Sequence, residues 1–301
     1  MINQNKWATA VSILVILMTS GTSGHAVANG YDTSGVKANA ELAARVPERI
    51  REVGVLVGGS DNNYAPWEYM AGADGQTPEG IDIDIGNALA ATLGLEYESR
   101  TAQFTTIIPA LGSNYDIGLS AFSITSERLE VVNFVSYAET GNEWVIRSGN
   151  PDGFDPVDVC GRKIALQSGT SHERRLLDVN QQCLDSGKPA MEFLPFKTQT
   201  EAVTRVATGG AVATITGSAT AFYAAFKSDG VLETVKPVGE TLNFSGLNGI
   251  AVAKADMELT ELVTDALNEL IESGTYSAIL DAWGMSGVGV EKAEINPTAE
   301  H

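Results

Sequence analysis

Twice along this chain, short apolar, often β-branched runs alternate with amphipathic helical segments, and no other feature limits the possible folds as much. Val53, Val55 and Val57 alternate with Gly54, Leu56 and Gly58 in a predicted strand that ends at Ser60-Asp61-Asn62-Asn63. A helix follows Gly80, with Ile85, Ala88, Leu89 and Leu93 on one face and Gly94 as its stop. A strand at 95–98, a helix at 105–111 and a strand at 115–120 complete the first unit. After a stretch around 137–149 the rhythm restarts, with strands at 163–167, 191–195, 212–216 and 234–238 separated by helices at 172–184, 201–207 and 219–226. Residues 249–253 read as a further strand, and Leu259, Leu262, Val263, Ala266, Leu270 and Ile271 as the inner face of a helix capped by Gly274. Such alternation implies an α/β protein with mainly parallel sheets covered by helices. Two units are what 301 residues can hold. Periodicity alone allows two successive beads, or a second unit inserted into the first through crossings near 137–141 and 244–248.

The ends of the chain carry different signals. Lys6, the apolar run at 7–18 and Ala26-Val27-Ala28 have the layout of a secretory signal cleaved before Asn29. The other reading, a membrane anchor, is disfavoured because twelve apolar residues are too few for a hydrocarbon core of about 30 Å. A periplasmic or otherwise extracytoplasmic location is therefore expected. Residues 29–50 read as a polar lead-in with a short helix around 38–45 ended by Pro47, and residues 286–301 as a weakly patterned, mobile tail.

Loss of residues 1–28 removes Lys6 and no acid, leaving eighteen basic against thirty-eight acidic residues, a net charge of −20. A surface so acidic repels phosphate backbones and argues against a nucleic-acid partner. In an oxidising compartment the pair Cys160 and Cys183 favours a disulfide over two buried thiols. No CxxC and no His-rich cluster supports a metal site, and no cofactor is implied.

The motifs favour the inserted arrangement. Ser60-Asp61-Asn62-Asn63-Tyr64-Ala65-Pro66-Trp67-Glu68-Tyr69, then Gly80-Ile81-Asp82-Ile83-Asp84, then Leu119-Ser120-Ala121-Phe122-Ser123-Ile124-Thr125-Ser126-Glu127-Arg128, stand in this order. Phe104 with Ile107-Ile108-Pro109-Ala110-Leu111, Glu139-Thr140-Gly141, Gln167-Ser168-Gly169-Thr170, and Gly274-Thr275-Tyr276 with Trp283-Gly284 add to them. Together they resemble the solute-binding proteins of polar amino-acid ABC importers, the bacterial extracellular solute-binding protein family 3, over about residues 50–285. The resemblance implies a two-lobed, type II periplasmic binding protein-like fold with a two-strand hinge. Lobe 1 would comprise 51–136 and 249–285, lobe 2 would comprise 142–243, and the hinge 137–141 and 244–248. It also implies a monomer that closes on a small amino-acid-like ligand and docks on a membrane permease.

By that resemblance Arg128, Ser123 and Ser171 would hold a ligand carboxylate, with Ser120, Ala121, Gln167 and Thr170 around it. The chemistry agrees: a guanidinium grips a carboxylate through two charge-assisted hydrogen bonds, and Thr170 and Ser171 sit where a strand turns into a helix N-terminus. For Arg128 the competing reading is a surface ion pair with Glu127 or Glu130. Tyr64 and Trp67 would wall the ligand, Tyr64 being the favoured contact, since one of the two is expected in the core. Phe122 would narrow the floor. Asp61 matches an acid that reads the ligand side chain, or caps a turn.

Two positions depart from the pattern. Gly217 stands where the family pattern places an Asp for the ligand ammonium, and Ile81 where an aromatic is usual. Asp61 or Glu139 would have to replace that acid, unless the ligand lacks an ammonium. Other functions open to this fold are a dehydratase of prephenate-like acids, for which Glu173 is the candidate acid, and a ligand-sensing domain.

Overall fold

The computed structural model describes residues 30–243 and 245–298. The export signal expected over residues 1–28, and Phe244 of the second crossing, lie outside the described residues.

Two short helices come first, α1 (Ala40–Ala44) and α2 (Glu48–Arg51). Asn39 caps α1 by accepting from the Glu41 and Leu42 N–H groups, and Pro47 opens α2, where its missing N–H costs nothing. After β1 (Val55–Ser60), the strands β2 (Asn63–Tyr64), β3 (Glu68–Ala71) and β4 (Thr77–Glu79) form a small antiparallel sheet that periodicity did not reveal. Helix α3 (Ile81–Thr92) starts at Gly80, whose φ is +137° and where a Cβ would stand 2.1 Å from the Trp67 carbonyl oxygen. Only glycine fits that approach. Next come β5 (Glu96–Thr101), α4 (Phe104–Ile107), β6 (Ile117–Gly118), α5 (Ser126–Val131) and β7 (Val132–Thr140).

The chain then crosses at Gly141 into β8 (Asn142–Arg147), β9 (Lys163–Gln167), α6 (Ser171–Asp185), β10 (Glu192–Phe196), α7 (Gln199–Ala207), β11 (Ala213–Gly217), α8 (Ser218–Lys227) and β12 (Leu232–Val235). It ends with β13 (Gly246–Ala253), α9 (Met257–Glu272) and α10 (Thr275–Ala282). The strand orders are β5-β1-β6-β13-β7 and β10-β9-β11-β8-β12. Strand β13 follows the whole second sheet in sequence yet sits between β6 and β7, so the chain returns to the first sheet. Each sheet has parallel pairs on one side, β5-β1-β6 and β10-β9-β11. The strands next to the crossings add antiparallel pairs on the other side, so both sheets are mixed.

In lobe 1, Leu56, Ile85, Leu89, Leu262, Val263 and Leu270 pack α3 and α9 on the sheet. In lobe 2 the strand alternation splits the core: Trp144, Ile146, Ile164 and Leu166 fill one face, Val145, Ala165, Ala202 and Val206 the other. Each large buried side chain contributes about 1.5–3 kcal/mol. Half-exposed ion pairs such as Arg45–Asp265 contribute under about 1 kcal/mol each, so burial dominates.

Cys160 and Cys183 are bonded, with Cα atoms 5.7 Å apart and a sequence separation of 23. The bridge ties α6 to the turn before β9. A loop of this length removes about 3 kcal/mol of unfolded-state entropy. Denaturant unfolding with and without reductant is expected to differ by that amount, and thiol labelling of the unfolded, unreduced protein is expected to find no free thiol.

The part of the tail up to residue 298 is packed on the first sheet, where a mobile tail was anticipated. Ala293 is buried, Ser136 and Glu294 exchange hydrogen bonds, and Asn296 accepts from the Phe134 N–H through its side chain and donates to the Phe134 carbonyl through its own N–H. Hydrogen bonding to β7 holds it, and such bonding leaves no apolar period to read. Among the described residues no helix is long and apolar enough to cross a membrane, and no group of His, Cys, Asp and Glu could hold a metal ion.

Candidate functional site

The carboxyl ends of β1 and β6 face those of β9 and β11 across a cleft, the place where open α/β sheets take up ligands. The lobes touch across it. Gln167 Nε2 donates to Asp61 Oδ2 at 2.8 Å, and the Tyr64 hydroxyl lies 2.7 Å from Thr216 Oγ1 while accepting from the Gly217 N–H at 3.1 Å. The hydroxyls of Ser123 and Ser171 are 3.0 Å apart. This is a closed arrangement.

On the lobe 1 side, the loop after β6 is fixed by polar groups behind it. Ser120 Oγ accepts from the Asp61 N–H at 3.0 Å and donates to Glu68 Oε1 at 2.6 Å. Ala121 has a φ of +43°, a conformation that costs a non-glycine residue of order 1 kcal/mol. Two hydrogen bonds hold it there: its N–H donates to Asp82 Oδ2 and its carbonyl accepts from Asn248 Nδ2.

Arg128, on α5, donates from Nη1 to the Ser123 carbonyl at 2.8 Å and from Nη2 to the Gly169 carbonyl of lobe 2 at 3.0 Å. Its guanidinium carbon lies 5.4 Å from the Phe104 ring centroid. Burial lowers its pKa to about 10, and no acid opposes the shift. Glu127, a partner weighed for it from sequence, pairs instead with Arg174.

On the lobe 2 side, the Thr170 hydroxyl caps α6 by accepting from the Glu173 N–H at 3.1 Å while donating to the Gln167 carbonyl at 2.9 Å. Ser171 is the first residue of the helix, at the positive end of its dipole. His172 Nε2 lies 2.6 Å from Asn142 Oδ1. Burial, then repulsion by Arg175 and Arg128, lowers the His172 pKa to about 4, so the ring is neutral at neutral pH. Asp61 is raised to about 6 by burial, against the Gln167 hydrogen bond and with a small addition from Glu201.

Of the residues singled out from sequence, Asp61, Tyr64, Trp67, Ser120, Ala121, Ser123, Arg128, Gln167, Thr170 and Ser171 line this one space. Phe122 does not. It is fully buried in lobe 1, stacked on Phe104 at 4.7 Å, and Phe104 is the ring that reaches the cleft. Trp67 touches the cleft but is 1% exposed, its ring edge-on to Tyr137 in the core. Ile81 is core. Glu139 accepts from Ser245 Oγ outside the lining, which leaves Asp61 as the carboxyl that lines the cleft among the described residues. Thr140, Asn142, His172 and Asn248 were missed. Thr140 and Asn248, hydrogen-bonded at 2.9 Å, fall within the two crossings read from sequence, which was the available signal. Nothing in the sequence marked His172 apart from its place after Ser171.

The sequence pattern of the bacterial extracellular solute-binding proteins, family 3, matches residues 56–286. The chain belongs to this family. It is a two-lobed, extracytoplasmic solute-binding protein. This family 3 chain is 30% identical over 260 residues to the arginine-binding protein ArgT of Corynebacterium glutamicum, covering 85% of this chain and 83% of the relative. A mutant of ArgBP from T. maritima superposes with a TM-score of 0.68 at 28% identity, over 79% of this chain and 98% of that one. The ancestral amino acid-binding protein AncCDT-1, a precursor of cyclohexadienyl dehydratase, gives 0.66 at 28% identity, over 78% and 98%.

Proposed function

We propose that this family 3 protein captures an amino acid, or a similar small carboxylate, by closing its lobes on it, and presents the closed form to the permease of an ABC importer. The observation that carries the reading is Arg128. Its guanidinium is partly buried in the cleft, reaches both lobes, and has no carboxylate partner among the described residues. A buried cation without an anion is costly, and a ligand carboxylate supplies the anion through two charge-assisted hydrogen bonds. The Ser123 and Ser171 hydroxyls, meeting from opposite lobes, are placed to complete the carboxylate shell. Tyr64 and Phe104 wall the ligand stem.

The crossings at 137–141 and 244–248 act as the hinge between lobe 1 (51–136 and 249–285) and lobe 2 (142–243). Thr140 and Asn248 link the two strands there.

Binding without turnover fits the lining. Asp61 is the carboxyl in reach of the ligand, and Glu173, the candidate acid for a dehydratase, accepts from the Gly169 N–H at 2.7 Å and does not line the cleft. The likeness to AncCDT-1 favours the dehydratase as the second reading, and that chemistry needs a general acid beside Arg128.

The test is mass spectrometry of small molecules released from natively purified protein, followed by calorimetric titration with a panel of L-amino acids, L-arginine first. We expect tight, stoichiometric binding of one class and no product. Binding of no α-carboxylate overturns the proposal, and consumption of prephenate transfers it to the second reading.

A further inference from the structure

Behind the cleft loop, two carboxyl groups meet in the core of lobe 1. Glu68 on β3 and Asp82 in the first turn of α3 are both fully buried. Asp82 already uses both oxygens as acceptors, Oδ1 from the Tyr137 hydroxyl at 2.7 Å and Oδ2 from the Ala121 N–H at 2.9 Å. Glu68 Oε1 accepts from Ser120 Oγ. Glu68 Oε2 has no donor although it is buried, and the Glu68 carboxyl lies against Asp82.

The groups facing the pair are Asp61 beyond β1, Tyr64 of β2, Tyr97 of β5 and Tyr137 of β7, with Tyr276 of α10 behind Tyr137. All are carboxyls or phenols. Among the described residues no cation acts on either carboxyl. Two buried like charges in contact cannot both persist. One proton settles both the charge and the orphaned oxygen.

We propose that Glu68 is a neutral carboxylic acid at neutral pH, donating from Oε2 to an ionised Asp82, and that this hydrogen-bonded pair positions the binding loop. Each half of the pair reaches one cleft residue. Glu68 holds Ser120 Oγ, which in turn accepts from the Asp61 N–H. Asp82 holds the N–H of Ala121 in its left-handed conformation. Loss of the proton sets two carboxylates against each other directly beneath that loop.

Burial raises the pKa of Glu68 well above the usual carboxylate range, Asp82 and Asp61 adding to the shift. The sign for stability follows. Unfolded carboxyls release their protons near pH ~4, whereas the folded pair keeps one, so this contribution is complete below that pH and falls as pH rises towards the pair's own titration.

The bearing on ligand capture rests on the function proposed above. The test needs no ligand, so the two can fail separately. Infrared spectra at neutral and mildly alkaline pH are expected to show a carboxylic-acid C=O band that is lost in Glu68→Gln and kept in Asp61→Asn. The Gln amide can donate to Asp82 while its oxygen still accepts from Ser120, so Glu68→Gln should fold and show a flatter dependence of Tm on pH. Over the mildly alkaline range, where the Asp61 carboxyl is already ionised, the amide resonances of Asp61 and Ala121 should shift with pH in the wild type and stay fixed in Glu68→Gln. An acid band missing from the wild type at neutral pH, or one that survives Glu68→Gln, overturns the proposal. Should the variant not fold, the wild-type spectrum together with the wild-type titration of those two amides decides it.

Discussion

Arg128→Ala is expected to lower affinity for the captured carboxylate at least about a hundredfold, roughly 3 kcal/mol. The substitution removes both charge-assisted hydrogen bonds and leaves the ligand anion facing Phe104 and neutral hydroxyls. Arg128→Lys restores the charge but not the planar fork, so it should recover only part of the loss. Arg128 also donates to the Ser123 and Gly169 carbonyls, so the substitution also removes two structural hydrogen bonds. Thermal unfolding without ligand measures that part: a small change in Tm with a large change in Kd places the effect on binding. Wild-type affinity in Arg128→Ala would remove the carboxylate anchor.

Asp61→Asn is expected to have an effect as large, provided the ligand carries an ammonium. Gly217 offers no side chain, and its N–H is taken up by the Tyr64 hydroxyl. Asp61 is then the acid available in the cleft. Losing the partner of a buried charge costs about 3–5 kcal/mol, more than a hundredfold in Kd. The pH dependence has a definite direction. Burial raises the Asp61 carboxyl to about 6, and a protonated carboxyl cannot neutralise an ammonium. Affinity should therefore fall as pH drops through that value, and Asp61→Asn should lose this dependence. Gly217→Asp brings a second acid, but its Cβ would stand 3.2 Å from the Tyr64 hydroxyl, so the ring must shift for it to fit. Unchanged calorimetric affinity in Asp61→Asn refutes the ammonium assignment and points to a ligand without that group. In that case Gly217→Asp should weaken binding by adding an unpaired acid.

Much of this site was legible because it is built from contiguous segments. A polar loop after a predicted strand, Ser120 to Arg128, and a helix start at Thr170 and Ser171 can be read from local pattern, and the family resemblance puts them on one cleft. Phe122 shows where such reading stops. Side-chain direction is counted by alternation, and the left-handed turn at Ala121 breaks the count, sending Phe122 into the core. Asn142, His172 and Phe104 come from separate elements whose convergence is tertiary. Strands β2 to β4 are too short for any period to show. Glu68 and Asp82 look like surface acids by residue type, and only their burial reveals a different role.

The docked C-terminal segment has a consequence for the sheet it joins. Strand β7 is one of the two edge strands of the first sheet, and an uncovered edge strand presents a row of backbone groups to any extended chain that passes. Residues 289–296 occupy part of that row, through the bridges Ala138–Gly289 and Val135–Ile295 and the Asn296 contacts with Phe134. Residues 289–296 thus work as a built-in blocking strand. Trimming the protein back to Gly284 would leave the cleft residues in place and open that edge to strand addition by a second copy, so that such a truncation should show itself first as self-association.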